Sequence, residues 1–295
     1  MPIRSPSSSI FRPKGGVDPR ALDRWKPIVD EVNRRNLLRG TFSVGALSML
    51  TGCSVSDTSP MKSFMSAVSS FNDAFQQLMF RPGHLAPTYR EDQVVKPPRF
   101  NAYYDIEDVK PVDASTWKLE IAGLADNKST WTAEQIGRLP EQEIIVRHIC
   151  VEGWDYIGQW SGVNLKQFLE RIGADTRAKY VAFKCADDYT ECLDMATALH
   201  PQTILATKYA KQPITDPFGF PLRLRTSTKL GFKYAKWITA IEVTNRFTGT
   251  YWSERGFNWF AGILAYAPVS RSLCCFPVDA PRVGLAFDQA VERAR

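Results

Sequence analysis

Arg147-His148-Ile149-Cys150-Val151-Glu152-Gly153-Trp154 is the stretch on which the fold of this chain turns. Ile144 to Cys150 reads as a strand that feeds directly into a loop opened by the cysteine. An offset of two on a strand places His148 and Cys150 on one face, although sharing a face does not bring two side chains into contact. Upstream, Trp117, Leu119 and Ile121 alternate with polar residues and predict a strand ending at Gly123. Thr132-Ala133-Glu134-Gln135 has the form of a capping box, opening a short helix before Pro140. Downstream, Leu165, Phe168, Leu169 and Ile172 recur at helical spacing, and Gly173 closes that helix. Further strands are predicted over 181–183, 221–226 and 237–243.

Toward the N-terminus, Met61, Phe64, Met65, Val68, Phe71, Phe75, Leu78 and Met79 fall at helical spacing. They predict an amphipathic helix over 61–79 whose apolar stripe packs on the body. Prolines at 82, 87, 97 and 98 then mark a loop. Strands mixed irregularly with a few short helices predict an α+β domain built on mixed sheets. The sequence holds no internal repeat, Gly-rich phosphate loop or dinucleotide fingerprint, which leaves nucleotide chemistry without support.

With 295 residues and 44% hydrophobic content, the chain has ample material for a core. A pI of about 9.0 would suit a nucleic-acid partner if the charge lay on the folded body. It does not: residues 1–52 hold nine of the 37 Lys and Arg against four of the 31 Asp and Glu, leaving 28 against 27 elsewhere. The basic excess belongs to a leader, and no nucleic-acid partner is expected.

Within that leader, Asn33-Arg34-Arg35-Asn36-Leu37-Leu38-Arg39 precedes a short apolar run over 41–50. The run is too short to span a bilayer, and the paired arginines resemble a twin-arginine export signal. Leu50-Thr51-Gly52-Cys53 resembles a bacterial lipoprotein processing site, which would leave Cys53 as a lipid-bearing N-terminus. The expected organisation is a leader over 1–52, a helix and linker over 53–98, the main domain over 99–262 and an extension over 263–295.

The cysteines are Cys53, Cys150, Cys185, Cys192, Cys274 and Cys275, and an exported protein can oxidise some of them. No zinc spacing such as C-x-x-C occurs, and His84, His148 and His200 are too few for a multi-histidine zinc or haem site. Cysteine-protease chemistry would need a histidine base at Cys150, and the strand offset of His148 puts the two on one face without guaranteeing that contact.

Cys150-Val151-Glu152-Gly153-Trp154, followed by Trp160-Ser161-Gly162-Val163 and the helix over 165–172, resembles the molybdopterin-binding domain of the sulfite oxidase superfamily. The likeness is nearest to its branch of periplasmic methionine-sulfoxide reductase catalytic subunits. Agreeing blocks are Phe100-Asn101-Ala102-Tyr103-Tyr104-Asp105, Ala198-Leu199-His200-Pro201 and Gly219-Phe220-Pro221-Leu222-Arg223-Leu224. The most specific is Lys229-Leu230-Gly231-Phe232-Lys233-Tyr234-Ala235-Lys236-Trp237-Ile238, and the likeness runs from about 95 to 262.

The resemblance implies a molybdenum–molybdopterin cofactor with Cys150 as metal ligand. A soft thiolate suits a high-valent metal already held by dithiolene sulfurs, and coordination keeps it deprotonated. Asn101, Tyr104 and Asp105 would lie along the pterin. Arg223 and the segment 231–236, through Gly231, Lys233, Tyr234, Ala235 and Lys236, would hold its phosphate end. Cys185 stands where the reductases carry a threonine near the pterin, and Phe218 where relatives carry Asn or His. His148, Glu152, Trp154 and Tyr156 are the candidate catalytic pocket. Tyr251, Trp252, Phe257, Trp259 and Phe260 are expected to pack core and rim rather than touch substrate.

The implied activity is two-electron oxygen-atom transfer, first of all the reduction of a small S-oxide or N-oxide. Sulfite dehydrogenase-like oxidation is the alternative, and a non-catalytic molybdopterin-binding protein is the alternative of another class. No C-x-x-C-H haem motif occurs, so a separate electron-transfer partner such as a membrane cytochrome is expected, with the protein periplasmic or otherwise exported and lipid-anchored through Cys53.

Overall fold

The structure, a computed structural model, describes residues 59–263, with side chains from residue 67 onward. The leader with Arg34 and Arg35, the lipidation candidate Cys53, and the extension from 264 with Cys274 and Cys275 lie outside the described residues. Helix α1 (Ser59–Met79) comes first, and a long loop leads to β1 (Lys118–Gly123). Strand β2 (Trp131–Thr132) enters α2 (Ala133–Gly137) through the expected capping box. Gln135 N donates to Thr132 Oγ1 at 3.2 Å, and Thr132 N donates to Gln135 Oε1 at 2.8 Å. There follow β3 (Glu141–Ile149), β4 (Asp155–Asn164), α3 (Leu165–Arg171), β5 (Tyr180–Cys185) and β6 (Thr190–Asp194). Helix α4 (Met195–Ala198), β7 (Thr203–Tyr209), β8 (Gln212–Pro213), β9 (Arg223–Thr226) and β10 (Ile238–Thr244) complete the order.

Two sheets result. One runs β2-β1-β10-β5-β6, with β1 parallel to β10; the other runs β3-β4-β7-β8, with β9 also paired to β7. The remaining strand pairings are antiparallel. The first sheet is mixed, the second is antiparallel throughout, and the class is α+β, as expected. The main core joins the two sheets: Leu119, Ile121, Val181, Phe183 and Ile241 of the first pack with Leu205 and Leu224 of the second and with Phe168 and Leu169 of α3.

The β3–β4 hairpin is the frame of the site. Its register runs from Glu141 opposite Val163 to Ile149 opposite Asp155, leaving 150–154 as the connecting loop. Along β3, Ile144, Val146 and His148 are buried while their neighbours are partly open, and Cys150 continues that inward series. Strand β4, flanked by β3 and β7, is buried from Tyr156 to Asn164. Such a strand loses the period-two alternation that makes β3 visible in sequence.

One expectation is overturned. The apolar stripe of α1 does not pack on the body: Val68, Phe71, Phe75, Leu78 and Met79 are all exposed. The polar side faces inward instead, because it satisfies open backbone donors. Asp73 Oδ1 accepts from Phe260 N at 2.6 Å and Gln76 Oε1 from Gly262 N at 2.8 Å, while Phe80 packs edge-on to Phe260. Among the described residues, no helix is long and apolar enough to cross a membrane.

Candidate active site

The inward series of β3 delivers His148 and Cys150 to one buried side, and the hairpin register sets Tyr156 opposite His148. The His148 ring stacks on Tyr156 at 4.8 Å and on Trp154 at 5.5 Å, and meets Tyr234 edge-on at 5.0 Å. Gly231 permits this approach, since a Cβ there would collide with His148 Nε2. In the loop, Cys150 N donates to Trp154 O at 2.9 Å, which folds the turn back on itself. The Glu152 carboxylate accepts from Trp154 Nε1 at 2.7 Å and lies 3.8 Å from Cys150 Sγ. Cys150, His148, Glu152, Trp154 and Tyr156 therefore form one cluster.

Burial pushes the Cys150 thiol up to about 11, with the Glu152 charge acting in the same direction. His148 is held well below its ordinary value by burial first, then by Arg225, Arg223 and Lys236. Its imidazole is neutral, and neither ring nitrogen has a hydrogen-bond partner.

Strand β9 brings the cations. Arg223 and Arg225 are two apart, so they share a face while Leu224 between them enters the main core. Both are fully buried. Arg223 lies over the Trp160 ring at 4.7 Å and donates through Nη1 to Phe218 O at 3.0 Å, leaving Nε and Nη2 without partners. The backbone of Phe218 is thus used even though its side chain offers no hydrogen bond. Arg225 lies over Tyr234 at 4.2 Å, donates through Nη2 to Arg147 O at 2.9 Å, and keeps Nε unpartnered. Burial lowers Arg223 to about 10.

Lys236 extends the cluster, with Nζ 4.4 Å from the centroids of both Phe100 and Trp237 and 3.4 Å from Pro217 O. Burial, then the neighbouring Arg223, lowers it to about 6, while Asp187 and Cys185 act against that shift. Tyr104 donates to Asp187 Oδ2 at 3.0 Å and stacks on Trp237 at 6.3 Å. Cys185 is fully buried beside Lys236, and burial holds its thiol well above the ordinary range. The carbonyl oxygen of Asn101 is buried without a partner. Tyr234 donates its hydroxyl to Lys229 O, and Ala235 O accepts from Leu224 N at 2.8 Å, tying the segment 231–236 to β9.

Two expected residues stand apart. The Lys233 ammonium is buried against Glu191 and donates to Cys192 O at 2.9 Å, so its charge is already neutralised inside the protein. Asp105 is exposed, and its carboxylate makes no capping bond to the turn that follows it. Sequence reasoning missed Arg225 and Asp187. Arg225 was open to discovery from its same-face offset to Arg223; Asp187 carried no comparable signal.

The model of the oxidoreductase molybdopterin binding domain matches residues 106–252. The provisionally named protein-methionine-sulfoxide reductase subunit YedZ1 of Azospira oryzae is 48% identical over 229 residues, 78% of this chain and 87% of that protein. The chain belongs to this family. It is a molybdopterin-dependent oxidoreductase of the sulfite oxidase superfamily. The protein-methionine-sulfoxide reductase catalytic subunit MsrP of Xanthomonas campestris is 32% identical over 169 residues, covering 50% of this chain. The chain spans about half the length of that relative, 52%. The sulfane dehydrogenase SoxCD of Paracoccus pantotrophus aligns with a TM-score of 0.44 and 17% identity over 47% of this chain and 40% of that one.

The residues of this molybdopterin oxidoreductase fit its cofactor. Buried donors without partners are rare in proteins and suit a site built to bind a ligand. Here Arg223, Arg225, His148 and the Tyr156 hydroxyl present such atoms together. Two guanidinium groups suit a phosphate, and neutral donors suit a pterin edge. Cys150 is the one thiol in the β3–β4 loop, and metal coordination there must release the proton that burial retains.

Proposed function

We propose that this oxidoreductase reduces a small neutral S-oxide, with a methionine sulfoxide side chain as the first candidate, using electrons from a separate subunit. The balanced reaction takes an S-oxide, two electrons and two protons to a thioether and water. When bound, the cofactor supplies the two-electron chemistry. Glu152 and Trp154 shape the open side of Cys150, while the His148–Tyr156 stack closes the inner side against water. The observation that carries the choice of substrate is the Glu152 carboxylate, 3.8 Å from Cys150 Sγ. A fixed negative charge at that distance opposes an anion such as sulfite and tolerates a neutral S-oxide. The relatives named as methionine-sulfoxide reductase subunits support the same reading.

The test begins with metal and pterin analysis of wild type beside Cys150→Ser, both from a cofactor-making host. Loaded wild type should oxidise a reduced artificial carrier when given methionine sulfoxide, and the variant should not. Turnover of sulfite but of no S-oxide would overturn the reading, as would a loaded protein with neither activity.

The same reading places the enzyme outside the cytoplasm, sent by the Arg34-Arg35 leader and held by a lipid on Cys53, close to a membrane cytochrome as electron donor. Replacing both arginines by lysine should leave precursor in the cytoplasm, and mass spectrometry of the mature N-terminus should find acylated Cys53. Efficient export of the lysine variant would overturn that route.

A further inference from the structure

Helix α1 carries its apolar stripe on the outside. Leu78 is 70% exposed, Phe75 47% and Phe71 44%, and Val68 and Met79 lie on the same side. At 100° per residue these five positions span a strip about 100° wide, the width of a core-facing stripe. It is not waiting for the body of this domain, because the opposite side is already bonded there through Asp73 and Gln76. Between Phe64 and Arg81 the only charged residue is Asp73, which faces inward, so the outer side is uncharged. The sequence spacing continues the stripe back to Met61.

The chain before the helix narrows the choice of occupant. Cys53 precedes Ser59 by six residues, so a lipid there can be at most about 20 Å from the start of the helix. An acyl chain held that near would bring the outer side of α1 to a bilayer surface. Helices that lie in the boundary between head groups and acyl chains bury such a stripe without spanning the membrane.

We propose that the outward side of α1 is a membrane-docking surface, seated in the interfacial layer of a phospholipid bilayer. The orientation rests on the proposed lipidation of Cys53; the affinity of the helix surface does not. The docked enzyme would then face its electron donor at a fixed height above the membrane.

The experiment uses the full chain, loaded with cofactor, carrying Cys53→Ser so that no lipid is attached. It is compared with the same chain also carrying Phe71→Ser, Phe75→Ser and Leu78→Gln. Both retain the leader, so a difference between them reads the helix surface alone. Flotation with vesicles of phosphatidylethanolamine and phosphatidylglycerol at physiological salt should recover the first protein with the vesicles. The second should show at least a tenfold smaller bound fraction, with unchanged metal content and S-oxide reduction. Equal flotation of the two, or flotation of neither, overturns the proposal. So does a dimer in solution that the triple variant converts to monomer, which would make a second copy the occupant. The mass of the exported N-terminus reports on Cys53 separately, so failure of lipidation and failure of docking are told apart.

Discussion

Gly231 shows how closely the site depends on single atoms. Its side chain is absent because His148 Nε2 occupies the place of a Cβ. Gly231→Ala should lower stability by about 1–3 kcal/mol through overpacking. In a His148→Ala background, where the ring is gone, most of that cost should vanish. Thermal unfolding of the four proteins measures the coupling, and an equal cost in both backgrounds would refute the clash. Arg223 makes the complementary case. Its buried guanidinium has no carboxylate partner, so Arg223→Met should leave the unloaded protein as stable or more so. Cofactor affinity should fall roughly 10–100-fold, the loss expected for a charged hydrogen bond of about 1.5–3 kcal/mol. Molybdenum per protein, read beside the melting temperature, separates the two effects. At this scale the sequence showed residue types better than residue partners. Cys150, His148 and Tyr156 are tied by strand alternation and hairpin register, which local sequence encodes. Lys233 resembled a phosphate ligand because nothing near it reveals Glu191, 42 residues upstream, which holds its charge.

Among the elements, α1 was legible as a helix and not in its orientation. Periodicity locates an apolar side, but which side meets the body depends on what that body offers. Here it offers the open N–H groups of Phe260 and Gly262, which polar side chains satisfy. Strand β4 escaped notice for the opposite reason: burial on both faces erases alternation. Below α1 lies Lys229, 3.3 Å from Asp194 and against the Phe260 ring, with Phe80 at 5.0 Å. Burial lowers it to about 7, Lys233 adds to that, and Asp194 and Asp73 oppose it. Above this value the folded chain has lost a proton that the unfolded chain keeps until about 10.4. Stability therefore rises with pH across that window, and the full burial penalty is felt below pH 7. Each pH unit of the window is worth about 1.4 kcal/mol, so the total is on the order of a few kcal/mol. Denaturant unfolding of wild type from about pH 6 to about pH 9 should show this rise. Lys229→Met should be more stable than wild type at the acid end and rise less steeply, with the rise that Lys236 contributes left in place; parallel curves would exclude Lys229 as a source.

For the whole molecule, the decisive fact is that the site belongs to neither sheet alone. Cys150, His148, Arg223 and Arg225 come from the sheet containing β3 and β9, at its strands or the loop between them. Cys185 ends β5 of the other sheet, and Lys236 lies on the link into β10. Arg223, Arg225 and Lys236 face a shared neutral histidine, and their mutual repulsion is part of what lowers Arg223 and Lys236. An anionic cofactor held by these residues would relieve that repulsion and would tie the sheets at the same stroke. Ligand at a hundredfold excess over its dissociation constant stabilises by about 2.7 kcal/mol. For a body of this size each kcal/mol moves the melting temperature by about 2–4 °C, so loading should raise it by roughly 5–10 °C. Calorimetry should show one transition displaced as a unit, because both sheets gain contacts together. Two separate transitions after loading would mean that the cofactor steadies only one sheet. Little displacement at all would mean that the unpartnered donors do not converge on it. The displacement should also persist at high salt, since buried charges are screened far less than exposed ones. Arg223→Met should lose much of it, while changes on the outer side of α1 should leave it intact.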